Sequence, residues 1–234
     1  MNWASWMRPS AISTRSIVMA SVGLLKNILT STWSFTLRGS DDSIQCDGNR
    51  VNEDVMLLTL ADIEQRLAEK FLPLEGEMDE LLLKQRREPV GDICALEQIL
   101  NVRLSGDFLA FLSRYDLDHF SLGNIAFGTG EDYLAQVIAL NQSEAFNRWW
   151  PGVSRPEGII VIALSDPYTL LLNTLNQRVY AITSEPTAAD DDPVADSFAL
   201  FIRGVGSLFL QAAHPQEVAS AVGAVNLAFW QEIA

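Results

Sequence analysis

Cysteine and histidine are scarce in this chain. Its 234 residues hold two of each, Cys46 and Cys94, His119 and His214. The cysteines have no CxxC neighbour and no flanking histidine, which excludes a disulfide framework and a zinc site of ordinary spacing. A reducing compartment, the cytoplasm, is the expectation. Long apolar runs are also missing: the stretch from Ile17 to Leu25 is broken by Lys26, too short to cross a bilayer. Basic residues are outnumbered, 16 Lys and Arg against 30 Asp and Glu, for a net charge of −14. Nucleic acid and an anionic membrane surface are therefore not expected as direct ligands, because both reward a Lys/Arg surplus. A surplus of acid serves solubility, and it can also steer and hold a basic partner.

What is present is globular in character, with 48 % hydrophobic and 20 % charged residues. The charge is uneven. Residues 1–40 hold Arg8, Arg15, Lys26 and Arg38 and no acid, so the remaining 194 residues carry −18. Those first 40 residues also contain twelve Ser/Thr and three of the six tryptophans. The basic residues before Ile17 raise a signal peptide, but no small-x-small cleavage site follows. An organellar transit peptide shares the same composition. Residues 1–55 are read as a poorly ordered basic, Ser-rich leader, with Met56 as an alternative start, and 56–234 as a single folded domain.

From Thr59 the pattern turns helical. Thr59 and Asp62 form a capping-box start, and Leu60, Ile63, Leu67 and Phe71 recur at helical spacing up to Pro73. A second helix is predicted from Glu77 to Arg87, a third from Asp92 to Leu100, and a fourth after Ser105 as N-cap, with Phe108, Leu109, Phe111, Leu112 and Tyr115 inward. Asp116 to Asp118 reads as a turn. His119 to Phe127 reads as a strand broken at Gly123-Asn124, and Glu131 to Phe146 as a helix. Ile159 to Leu164 is an unbroken apolar run, expected as a central strand covered on both faces. Thr169 to Thr174 and Arg178 to Thr183 follow as strands joined at Asn176-Gln177, so they are antiparallel. Pro193 marks a possible helix start, with Val194, Phe198, Phe201, Ile202 and Val205 on one stripe. Pro215 to Ile233 closes the chain with Val218, Val222, Val225 and Phe229 on another. Helices, an antiparallel sheet and helices again make the class α+β.

The chemistry expected of an enzyme is sparse. There is no GxSxG, and the two histidines are isolated, which leaves no nucleophile–base pair to name. Gly128-Thr129-Gly130 lacks the Lys-Ser/Thr of a phosphate loop and the third glycine of a dinucleotide fingerprint. It reads as a strand-to-helix turn with Glu131 and Asp132 at the helix start. Asp190, Asp191 and Asp192 have neither the spacing nor the glycine of a calcium loop. No cofactor, metal or catalytic residue is assigned. Trp149-Trp150 is a possible interface anchor or a core lid. Acids gather near the sheet ends: Asp116, Asp118, Glu131, Asp132, Asp166, Glu185, Asp190, Asp191 and Asp192. Together with Trp150 these are the candidate partner-binding residues.

Several strings have a familiar order. Leu104-Ser105-Gly106-Asp107-Phe108, running on to Tyr115, resembles the SUKH superfamily segment in which an acidic and an aromatic residue open a helix. Ser105-Gly106 stands where that family usually has Pro. Ile159 to Leu164, Thr169 to Leu172 and Val179-Tyr180 resemble its central sheet. Val194-Ala195-Asp196-Ser197-Phe198, running on to Ile202, is similar to its characteristic helix start, where Asp196 or Ser197 would satisfy first-turn amides. The resemblance spans Asp92 to Gly204 and leaves the helices at either end as additions. It implies a central, mostly antiparallel sheet flanked by helices. It also implies a cytoplasmic, non-catalytic immunity protein that neutralises a cognate polymorphic or contact-dependent toxin by binding it. A basic nuclease is the toxin class that the charge fits. The family's cell-wall-assembly regulators supply the alternative, a scaffold or regulatory role.

Overall fold

The computed structural model describes residues 56–104, 106–142, 144–146, 155–183 and 192–234. The chain divides into two units, Met1–Gln45 and Cys46–Ala234, and every described residue belongs to the second. The leader, the Ser105 cap, Trp149-Trp150, Glu185, Asp190 and Asp191 lie outside the described residues.

Helix α1 (Leu60–Phe71) starts as its capping box dictates. The Thr59 hydroxyl accepts from the Asp62 amide at 3.2 Å, and the Asp62 carboxylate accepts from the Thr59 amide at 3.0 Å. Its buried stripe is Ile63, Leu67 and Phe71. The helix predicted over 77–87 is absent. Pro73 and Gly76 (φ +91°) divert the chain into two single 3-10 turns, Leu72–Leu74 and Asp79–Leu81, and Asp79 accepts from the Gly76 amide at 2.8 Å. Leu82 and Leu83 are both buried just after the second turn, where the chain is already extended at Leu82 (φ −89°, ψ 120°). Strand β1 (Lys84–Gln85) follows and pairs with β2 (Tyr115–Asp116), so Asp116 belongs to a strand rather than the predicted turn. Helices α2 (Ile93–Leu100) and α3 (Gly106–Arg114) lie between them.

The main sheet runs β3 (Ser121–Leu122), β4 (Ile125–Ala126), β5 (Ile159–Leu164), β6 (Thr169–Asn173) and β7 (Val179–Ile182), every pair antiparallel. The fold is α+β. Gly123-Asn124 makes a hairpin of what reads in sequence as one broken strand. Strand β5 is buried on both faces: Ile160 and Ile162 enter the main core, while Ile159 and Val161 join Phe146, Leu171, Tyr180 and Ile182 in a second cluster.

Strand β4 pairs with β5 at Ala126 and Leu164, so the rest of that edge of β5 needs other partners. Helix α4 (Tyr133–Asn141) supplies them. Buried Asn141 accepts from the Val161 amide at 2.8 Å and donates to the Val161 carbonyl at 2.9 Å, and the Tyr133 hydroxyl donates to the Ile162 carbonyl at 2.8 Å. Two side chains of one helix thus finish a strand.

Helix α5 (Phe198–Phe209) is the axis of the core. Ser197, not Asp196, caps it, accepting from the Leu200 amide, while Asp196 pairs with Arg178 at 3.0 Å. Its start falls after Pro193, because Val194 and Ala195 first hydrogen-bond with Val179 of β7. Phe198 meets Phe108 edge-on at 4.8 Å, and a side chain at Gly206 would collide with Ile63 of α1. Arg203 donates to the carbonyls of Leu57 and Leu58, and Ser207 accepts from the Leu58 amide, fastening the strap before α1. The closing stretch is two helices, α6 (Pro215–Val222) and α7 (Ala228–Glu232), split at Gly223 (φ +77°). That break leaves Val225 exposed at 73 % rather than on the predicted stripe.

Candidate functional site

Four of the nominated acids come together at the amino end of α4. Asp132 is its N-cap and accepts from the Ala135 amide at 2.9 Å. Asp118 accepts from the Tyr133 amide at 2.8 Å, across fifteen residues of chain. The Asp118 amide in turn donates to the Asp116 carboxylate at 3.2 Å, which also lies 3.6 Å from Arg86. Glu131 is exposed beside them. Negative charge belongs here, since a helix amino end carries unsatisfied N–H groups and a partial positive charge. The carboxylates of Asp118 and Asp132 are therefore committed to the fold.

The Gly128-Thr129-Gly130 turn is closed from within. The Gln136 carboxamide accepts from both the amide and the hydroxyl of Thr129, and donates to the Phe127 carbonyl at 2.9 Å. A Cβ at Gly128 would run into the Leu117 carbonyl, so that glycine serves close backbone packing.

Asp166 and Asp192 lie elsewhere. Asp166 is exposed in the turn between β5 and β6. Asp192 comes two residues before Val194, whose amide donates to the Val179 carbonyl, and so lies by the outer edge of β7. The structure thus assembles one group of four acids and keeps these two apart from it.

A further polar cluster, which no sequence pattern signals, ties α1 to β2. Glu64 of α1 accepts from Gln85 at 2.5 Å and from the Tyr115 hydroxyl at 2.9 Å, with Arg114 at 3.5 Å. Burial, aided by the hydrogen bond to Glu64, pushes the Tyr115 phenol up to about 12. It keeps its proton at neutral pH and ties β2 to α1. The contact joins residues 51 apart, so no local spacing signals it.

The histidines have backbone roles. His119 sits at φ +57° and its amide donates to the Gly130 carbonyl, while the His214 amide donates to Glu217 at the start of α6. Arg155, partly buried, donates to the carbonyls of Leu100 and Ile159, and burial lowers its pKa. No three His, Cys, Asp or Glu among the described residues form a metal-holding group. No helix among them is long and apolar enough to cross a membrane.

The Leu72–Glu80 stretch, between the first helix and the helix expected over 77–87, carries apolar side chains that do not enter the core. Leu72, Leu74 and Met78 are exposed, with Glu75, Glu77 and Glu80 exposed beside them. The usable signal was Pro73 and Gly76 among alternating acids and leucines. The chain matches no family model, no curated protein and no solved structure.

Proposed function

We propose that this chain is a non-catalytic immunity protein of the SUKH kind, which binds a cognate protein toxin in the cytoplasm and occludes its active surface. The observation that carries the reading is the set of SUKH-like strings in an acidic unit: residues 41–234 carry −18. The α+β architecture supports it, with the sheet strings forming β5, β6 and β7 and the Val194–Ile202 string forming the start of α5. Five ion pairs join described residues, far fewer than the acids available, so much of the negative charge faces water. Charge of that kind accelerates encounter with a basic surface and discriminates against acidic ones. A nuclease presents such a surface where it holds phosphates, and an acidic inhibitor seated there stands in for the nucleic-acid backbone.

Within this reading Glu131, Asp166 and Asp192, with Trp150, Glu185, Asp190 and Asp191, supply contact or steering charge. Asp118 and Asp132 act by holding α4. Neither cofactor nor metal is required. Co-expression with the toxin encoded immediately upstream should restore growth, and the two proteins should copurify. Folded protein that neither binds nor protects overturns the reading in favour of a scaffold or regulatory role.

A further inference from the structure

Seven large apolar side chains stand exposed among the described residues, and three of them fall in one short stretch: Leu72 at 54 %, Leu74 at 42 % and Met78 at 39 %. Glu75, Glu77, Asp79 and Glu80 are interleaved with them, and no cation lies between Leu72 and Glu80. The flanking lysines are engaged. Lys70 lies 5.2 Å from the Phe71 ring and 5.3 Å from that of Phe209, and Lys84 is 3.8 Å from Asp79.

The stretch is knitted by its own backbone. The Glu75 amide donates to the Leu72 carbonyl at 3.2 Å, Glu77 to Leu74 at 3.0 Å, and Leu81 to Met78 at 3.1 Å. Beneath it Phe71 stacks on Phe209 at 6.0 Å. Apolar groups held in water by an ordered turn gain free energy when covered, and little chain entropy is lost in covering them.

We propose that Leu72–Glu80 is a docking ledge for a basic amphipathic segment of a partner protein. Apolar side chains of that segment seat on Leu72, Leu74 and Met78, while its Lys or Arg side chains meet Glu75, Glu77 and Glu80. Charge complementarity selects this occupant. A second copy would bring like-charged rims together, and an anionic membrane would be repelled. The inference rests on the binding-protein reading above and supplies its contact surface and the partner's chemistry.

The test uses the full chain, isotope-labelled for NMR, and three probes: a Leu/Lys amphipathic peptide, its scrambled form and a Leu/Glu counterpart. The Leu/Lys peptide should shift amides of residues 72–80. Leu72→Ser with Leu74→Ser, and separately Glu75→Lys with Glu77→Lys, should each weaken it at least about tenfold, with the remaining spectrum unchanged. Exposed Glu157→Lys should bind as the parent does. Shifts centred elsewhere, equal binding of either control peptide, or self-association through the ledge overturn the proposal. Ledge variants that still neutralise the toxin fully overturn the ledge and leave the immunity reading standing. Ledge-specific peptide binding without toxin protection supports the ledge and overturns that reading.

Discussion

At the amino end of α4, Asp118 and Asp132 aim their carboxylates at the amides of Tyr133 and Ala135. Along Leu72–Glu80, Glu75, Glu77 and Glu80 instead turn theirs to water among exposed leucines. Both regions are acidic, and composition cannot tell them apart. The difference lies in what each carboxylate faces: an unsatisfied backbone donor makes it structural, and solvent leaves it available to a partner. Net charge is thus a poor guide to a binding surface until the helix caps have been set aside.

That contrast breaks most visibly where inward-facing polar groups are removed. Asn141→Leu strips the Val161 amide and carbonyl of their partners, and should cost about 2–4 kcal/mol in chemical denaturation. Asp118→Ala leaves the Tyr133 amide unsatisfied and should cost about 1–2 kcal/mol, with Asp118→Asn recovering part of the loss. Equal stability of Asp118→Ala and the parent would erase the structural half of the comparison.

Tyr115→Phe should cost about 1 kcal/mol at neutral pH. The phenol's ordinary value is 10.0 and the folded value about 12, so the native state prefers the protonated form. Its contribution is complete below pH 10 and is lost as pH rises toward 12. Removing Tyr115 should remove that alkaline step from a pH–stability profile. The smallest effect belongs to the ledge: Glu75→Gln, Glu77→Gln and Glu80→Gln together should change stability by no more than about 0.5 kcal/mol, while slowing toxin association. A large loss of stability there would make the ledge structural too.

Local chemistry was readable in advance where it acts within a few residues. The Thr59–Asp62 box, the Asn176-Gln177 turn, the doubly covered run of β5 and a cap at Asp196 or Ser197 each need only short-range pattern, while the choice of Ser197 waits on the pairing of Asp196 with Arg178. The failures have a common cause. Leu81, Leu82 and Leu83 look helical until β1 finds β2, a pairing that bridges about thirty residues. The stripe from Val218 to Phe229 looks continuous until Gly223 takes a positive φ. At the acidic site, Asp116, Asp118, Glu131 and Asp132 stand in the sequence among ten candidates, with nothing to separate them from Asp166 or Asp192. Their division of labour depended on the contact between Asp118 and Tyr133, which no periodicity encodes. The Glu64–Tyr115 cluster and the Asn141 bridge to β5 were invisible for the same reason.

The most direct measurement is the association rate of the full chain with the upstream-encoded toxin across a salt series from low to high ionic strength. An acidic binding protein should associate at least about tenfold faster at low salt than at high salt, with Asp118→Asn following the parent and the ledge variants falling below it. A rate independent of salt and of the ledge charges would contradict the account.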